Sequence, residues 1–124
     1  IGSRFVTSEE SSAHINFKEE VVKAKEGDTM LSLKQLTAVR LLNNKFYQRV
    51  AEAESRGDSI EELTKLLGSS RAKRGKFEGN IDEGELEIGQ VSSMINNIKP
   101  VVHIIEEIID EFEIEKKKIS NISF

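Results

Sequence analysis

Apolar and polar positions divide the chain into a short opening stretch and five stretches of helical period. Ile1-Gly2-Ser3-Arg4-Phe5-Val6 sets an apolar entry and an apolar pair around Gly-Ser, which predicts the end of a β-strand running into a loop. Phe17, Val21 and Ala24 recur at helical spacing, with Ile15 and Val22 widening the stripe, and predict a helix from about His14 to Glu26 stopped at Gly27. Leu36, Val39, Leu42, Phe46 and Val50 predict a long helix from Leu33 to Ser55, with Ser32 as its cap and Arg56-Gly57-Asp58 as its end. Ile60, Leu63, Leu66 and Leu67 mark a short helix from Ser59 to Leu67, capped by Asp58 or Ser59. Ser69 to Gly84 has little period and reads as an irregular connection. From Leu86 to Ile98 helical spacing returns through Val91, Met94 (or Ile95) and Ile98, and the interior Gly89, worth roughly 1 kcal/mol less than Ala there, points to a close backbone approach. Pro100 opens a final helix whose apolar face runs from Val101 through Ile104, Ile105, Ile108 and Ile109 to Phe112, with Lys116, Lys117 and Lys118 at the end that favours cations.

Composition narrows the classes. A chain of 124 residues with 37% hydrophobic and 32% charged residues is sized for one small domain. A net charge of -4 gives no reason to expect a nucleic-acid or anionic-membrane partner, and no apolar run reaches the roughly 20 residues of a membrane span. With no cysteine there is neither disulfide nor thiolate metal site, and a cytoplasmic location is expected.

Candidate chemistry is sparse. Gly2-Ser3 is the first candidate: glycine lets backbone approach a ligand, and the serine hydroxyl can donate to phosphate oxygens, although most Gly-Ser pairs are simple turns. Thr7 and Glu10 fit the S/T-x-x-E capping pattern. His14 reads as a helix cap or surface histidine rather than a base, since spacing places no partner near it. His103, beside the apolar face of the last helix, reads as a boundary histidine rather than a metal ligand, although Glu106 and Glu107 stand at ligand spacing. Arg40 either anchors a loop or mouth, or pairs with a carboxylate. Arg71, Lys73, Arg74 and Lys76 are expected to pair locally with the acidic run that follows rather than to form an anion patch. Gly89-Gln90 either brings an amide toward a ligand or permits a close helix crossing. No P-loop, H-E-x-x-H, G-x-S-x-G or EF-hand pattern is present, and no catalytic residue or metal ligand is assigned.

Four segments in order carry a family resemblance. They are Ile1 to Glu10 continuing through Ala13-His14-Ile15-Asn16-Phe17-Lys18-Glu19, then Val39-Arg40-Leu41-Leu42-Asn43-Asn44-Lys45, then Phe77-Glu78-Gly79-Asn80 with Gly84, then Gly89-Gln90-Val91-Ser92-Ser93-Met94-Ile95. Together they resemble the C-terminal portion of the nitronate monooxygenase (2-nitropropane dioxygenase) family, which includes the type II enoyl-acyl-carrier-protein reductases. The family pattern has Thr at the position of Ser3, often Gly at Ser93 and an apolar residue at Lys76. The resemblance implies a mainly α chain with a strand stub and about five helices: residues 1–27 would be the last strand-helix unit of an FMN-binding (β/α)8 barrel, and 28–124 a C-terminal helical extension. It implies that Gly2 and Ser3 hold the FMN phosphate, that the proton-transfer histidine lies upstream, and that the intact protein takes a small-molecule substrate. This chain alone is expected to show no turnover and no tight FMN binding. Phe5, Phe17 and Val21, facing an absent sheet, are expected to be exposed and to promote self-association. The competing reading is a non-enzymatic helical interaction module, in which Gly2-Ser3 is only a turn and the last helix meets a partner.

Overall fold

In a computed structural model, residues 1–122 are described. They form six α-helices, one β-hairpin and one 3-10 turn: α1 (Gly2–Val6), α2 (Ile15–Lys23), β1 (Thr29–Ser32), β2 (Val39–Leu42), α3 (Lys45–Arg56), α4 (Ile60–Leu67), α5 (Arg71–Lys76), the turn Gln90–Met94 and α6 (Val101–Ser120). The chain is mainly helical, as expected, but four expected elements differ.

The opening stretch is helix, not strand. A strand needs a neighbour for its backbone groups, whereas a helical turn satisfies some of them locally, as in the Arg4 N–H to Ile1 carbonyl bond of 2.9 Å. The expected helix from Leu33 to Ser55 is a hairpin followed by a shorter helix. β1 and β2 pair antiparallel, with Thr29 opposite Leu42 and Ser32 opposite Val39. Adjacent β2 residues point to opposite faces, so Leu41 and Leu42 are both buried and join two separate cores, an arrangement one helix face would not allow. Helix begins only at Asn44, whose side chain accepts from the Tyr47 N–H at 2.8 Å and donates to the Ile81 and Gly84 carbonyls.

The expected helix from Leu86 to Ile98 is the third departure. Residues 86–88 run extended along β2: the Leu42 N–H donates to Leu86 and the Ile88 N–H to Arg40, at 3.0 and 3.1 Å. Only Gln90–Met94 coils, as a 3-10 turn. Backbone bonds to β2 replace the intrahelical ones at the front of the segment.

α5 is a fourth departure: it coils at Arg71–Lys76 inside the stretch expected to be irregular, held by Arg71 bonds to the Leu66 and Leu67 carbonyls, and the other helices follow the pattern. α4 carries a complete capping box between Ser59 and Glu62, and α3 ends on Gly57 in the left-handed region. Thr7 and Glu10 form no such box: the Thr7 hydroxyl donates to the Arg4 carbonyl, and Glu10 accepts from the Val101 N–H where α6 begins. The cap of α2 is His14, whose Nδ1 accepts from the Asn16 N–H at 3.1 Å.

One core gathers Phe17, Val21 and Ala24 of α2 with Leu42, Leu86, Ile88 and Ile95. The expected exposure of α2 is therefore overturned: Phe17 and Val21 are 1% and 0% exposed, and Phe5 is half-buried. The extended 86–88 segment and the 3-10 turn cover the face that was expected to meet a missing sheet. The second core packs Leu33 and Leu41 on Phe46 and Val50 of α3. The Arg71 guanidinium lies 4.5 Å from the centre of the Phe46 ring and donates to the Leu66, Leu67 and Glu83 carbonyls, tying α5 to α4. Exposed apolar side chains concentrate instead on α6, where Ile104 alone is buried, and at Met94.

Candidate functional site

Ser3 is brought to a site by residues far away in sequence. The Gly89 N–H donates to the Ser3 hydroxyl oxygen at 3.1 Å, across 86 positions of chain. Ser3 and Gly89 line an open groove of 330 Å³ together with Val6, Val39, Arg40, Glu87 and Ile88. Three separate segments therefore converge: α1, the start of β2, and the extended strand-like stretch before the 3-10 turn. Gly2 stands exposed beside Ser3 in the same helical turn, with open space where a side chain would go.

The groove's charged side chains are Arg40 and Glu87. Arg40 donates through one terminal nitrogen to the Thr29 carbonyl and hydroxyl oxygens, at 2.8 and 3.2 Å. It thus anchors the hairpin, as one expectation had it; among the described residues it has no carboxylate partner within salt-bridge range. Glu87, the groove's one acidic side chain, is paired with Lys76. Its charge is offset while that of Arg40 is not. Next along the chain, burial and the neighbouring Glu87 push the Glu85 carboxyl above the usual glutamate range.

The other candidates fall elsewhere. His14 caps α2 and touches Gly79, where an added Cβ would meet its Nδ1 at 2.3 Å. His103 is exposed on α6. Three of the four basic residues pair locally, Arg71 with Glu83, Lys73 with Glu78 and Lys76 with Glu87, whereas Arg74 has no carboxylate within salt-bridge range among the described residues. Gln90 is exposed at the start of the 3-10 turn. Among the described residues no group of three or more His, Cys, Asp or Glu side chains is placed to hold a metal ion, and no helix is long and apolar enough to cross a membrane.

Sequence reasoning missed two cations that hold α1 in place. Arg4 donates to the Thr7 hydroxyl, the Asn97 carbonyl and the Asn97 side-chain oxygen, at 2.9, 3.0 and 2.7 Å. Lys18 lies buried beneath the loop after α1 and donates to three backbone carbonyls. Its signal was available: Lys18 stands three and four positions before Val21 and Val22, inside the apolar arc of its helix. A separate concavity of 670 Å³ between the 3-10 turn and α6 is lined by apolar side chains such as Met94, Ile104 and Ile108 and by charged ones such as Arg4, Lys99 and Glu107, and does not include Ser3.

The chain is mainly helical, as the family resemblance implies, and of the Gly2-Ser3 pair Ser3 lines the groove. The family model for nitronate monooxygenase matches residues 1–111, and the chain belongs to that family. Among solved structures, FabK from Thermotoga maritima is similar at 33% identity and a TM-score of 0.85, over 95% of this chain and 37% of that one. A mutant of the same protein is similar at 31% identity and a TM-score of 0.80, over 95% and 35% of the respective chains. The chain thus spans little more than a third of the length of these structures. No curated protein matches.

Proposed function

We propose that this chain supplies one wall of an FMN-dependent oxidoreductase of the nitronate monooxygenase family, acting on a small-molecule nitronate. The observation that carries the reading is the Ser3 hydroxyl, held by the Gly89 N–H at the edge of a groove whose uncompensated charge is Arg40. These residues fit a phosphate monoester. Ser3 offers a hydroxyl donor, Gly2 leaves room beside it, and Arg40 supplies positive potential without spending it on a carboxylate. When bound, FMN supplies the electron-accepting ring for nitronate oxidation; the residues here bind and orient its phosphate end. The remainder of the (β/α)8 barrel, including the proton-transfer histidine, belongs to family sequence outside the matched third.

The test is a chimera that joins this chain to the part of FabK from Thermotoga maritima that it does not cover. The expected product is a folded flavoprotein containing FMN. Ser3→Ala should lower FMN affinity by about tenfold or more, the worth of one hydrogen bond to a charged group. The nitronate assignment is tested on the whole protein encoded by the reading frame that contains this chain: anaerobic bleaching of its flavin by a nitronate, without NAD(P)H, supports it, and bleaching by NAD(P)H alone moves the chain to the enoyl-acyl-carrier-protein reductase branch. A folded chimera that purifies without flavin refutes the reading and favours the helical interaction module.

A further inference from the structure

Gly89 is pinned on both sides. The preceding Ile88 N–H donates to the Arg40 carbonyl at 3.1 Å, and the Gly89 carbonyl accepts from the Ser92 N–H at 3.0 Å. The Gly89 N–H is thereby fixed in direction, and it points at the Ser3 oxygen. A hydroxyl has two lone pairs and one proton. With one lone pair taken by Gly89, the Ser3 proton must find an acceptor elsewhere, and among the described residues none lies within hydrogen-bond reach.

The absence of a side chain at position 89 is also accounted for by Ser3. Gly89 has φ -72° and ψ 156°, a conformation any residue adopts. A Cβ placed there would lie 2.7 Å from the Ser3 oxygen and meet nothing else closer than 3.9 Å. Glycine is needed at this position neither for its backbone freedom nor for a helix crossing. It is needed so that the Ser3 oxygen can sit against the amide.

We propose that Gly89 is a positioning residue: its N–H holds the Ser3 hydroxyl in the rotamer in which the proton is committed to a ligand oxygen in the groove, a phosphate oxygen of FMN. This deepens the function proposed above and rests on it. Gly89 does not touch the phosphate; it fixes the polarity and place of the group that does.

The experiment uses the full chain labelled with nitrogen-15, with amide exchange and resonance shifts as the readouts, titrated with FMN, riboflavin and inorganic phosphate into the millimolar range. The Gly89 amide should exchange about tenfold more slowly in the unmodified chain than in Ser3→Ala, and Ser3→Thr should restore the protection. FMN and inorganic phosphate should shift the Ser3 and Gly89 amides, and riboflavin, which lacks the phosphate, should not. Gly89→Ala should abolish the FMN-induced shifts at Ser3 as fully as Ser3→Ala does. Combining Gly89→Ala with Ser3→Ala should add nothing, because the Cβ then meets no oxygen. Full FMN response in Gly89→Ala, additive effects in the double variant, or equal shifts with riboflavin would each overturn the proposal. FMN-induced shifts confined to residues outside the groove would overturn the proposal while leaving the flavin reading standing. No shift anywhere with FMN, despite a protected Gly89 amide, would overturn the proposal, and the flavin reading would fall with it only if the chimera also purifies without FMN.

Discussion

Lys18→Met sets two large opposing effects against each other. Lys18 is 5% exposed, and its ammonium donates to the Ser8, Ser11 and Glu9 carbonyls at 2.6, 2.9 and 3.2 Å. No carboxylate lies within salt-bridge range of it among the described residues, so backbone dipoles alone offset the several kcal/mol that burying an ammonium costs. Methionine keeps most of the apolar stem and removes the charge, which relieves that desolvation. It also strips three acceptors of their donor. Glu9 is exposed and its carbonyl regains water, whereas Ser8 is 2% exposed and Ser11 half-buried. The buried Ser8 carbonyl then keeps only its 3.3 Å bond from the Ser11 N–H, and the Ser11 carbonyl is partly orphaned, against about 1–3 kcal/mol for a full loss. The acceptors already surround the ammonium in the folded chain, so we expect the orphaned carbonyls to win, with a net loss of about 2 kcal/mol. The urea midpoint should fall at unchanged slope, and the thermal midpoint should drop by about 8 °C. Amide exchange should localise the change to Glu9 and Ser11, whose N–H groups donate to the Lys99 and Ser8 carbonyls. A variant as stable as the parent, or more stable, would show that desolvation of the ammonium outweighs its three bonds and would refute the reasoning.

Asn44→Ala removes the α3 cap and the donor to the Ile81 and Gly84 carbonyls, and should cost about 2 kcal/mol in urea denaturation, more than a cap alone. Glu85→Gln tests a buried carboxyl that accepts no hydrogen bond among the described residues. Because its folded value is raised, the native state binds the proton more tightly than the unfolded state, so this group costs stability as pH rises above the usual glutamate range of about 4.3. The substitution should therefore raise the thermal midpoint by a few degrees near pH 7, an advantage that fades toward pH 4; a pH-independent change would contradict it. Ile109→Glu with Phe112→Glu, at positions 56% and 62% exposed on α6, should leave the urea midpoint within error, since surface changes stay within about 0.5 kcal/mol.

What the sequence disclosed and what it hid divide along a physical line. α4 and α6 were legible because their apolar positions, caps and ends are local, as with Ser59, Glu62 and Pro100. The region from Leu33 to Ser55 was not. Leu36, Val39, Leu42 and Phe46 happen to fall at helical spacing, yet β2 needs only alternate faces and a partner, and the partners are β1 and residues 86–88. The same pairing removes the helix expected from Leu86. A strand bonded on one edge to residues more than forty positions away leaves little local signature of that pairing, and its two faces here serve two different cores. The exposure expected of Phe17 and Val21 failed for the same reason: their cover comes from Leu86, Ile88 and Ile95, in a segment read as helix.

The site was legible by composition and hidden in geometry. Ser3 and Gly89 were each singled out, one for its hydroxyl and the other for a glycine where a helix would disfavour it. Nothing in either local pattern joins them. Their contact exists because residues 86–88 lie extended on β2, which sets the Gly89 amide at a fixed height, and because Arg4 binds the Asn97 carbonyl and side chain, which brings α1 against the far end of the same segment. Gly89 was read as permitting a close approach, and that is what it does; the partner is a side-chain oxygen rather than a helix. A single hydroxyl thus depends on two long-range attachments. Loosening Arg4 should weaken protection of the Gly89 amide even though Arg4 touches neither Gly89 nor the Ser3 hydroxyl. Arg4→Met should therefore reproduce the exchange phenotype of Ser3→Ala at Gly89 while leaving amides within α3 and α4 unchanged, and faster exchange spread evenly over the chain would argue against this coupling.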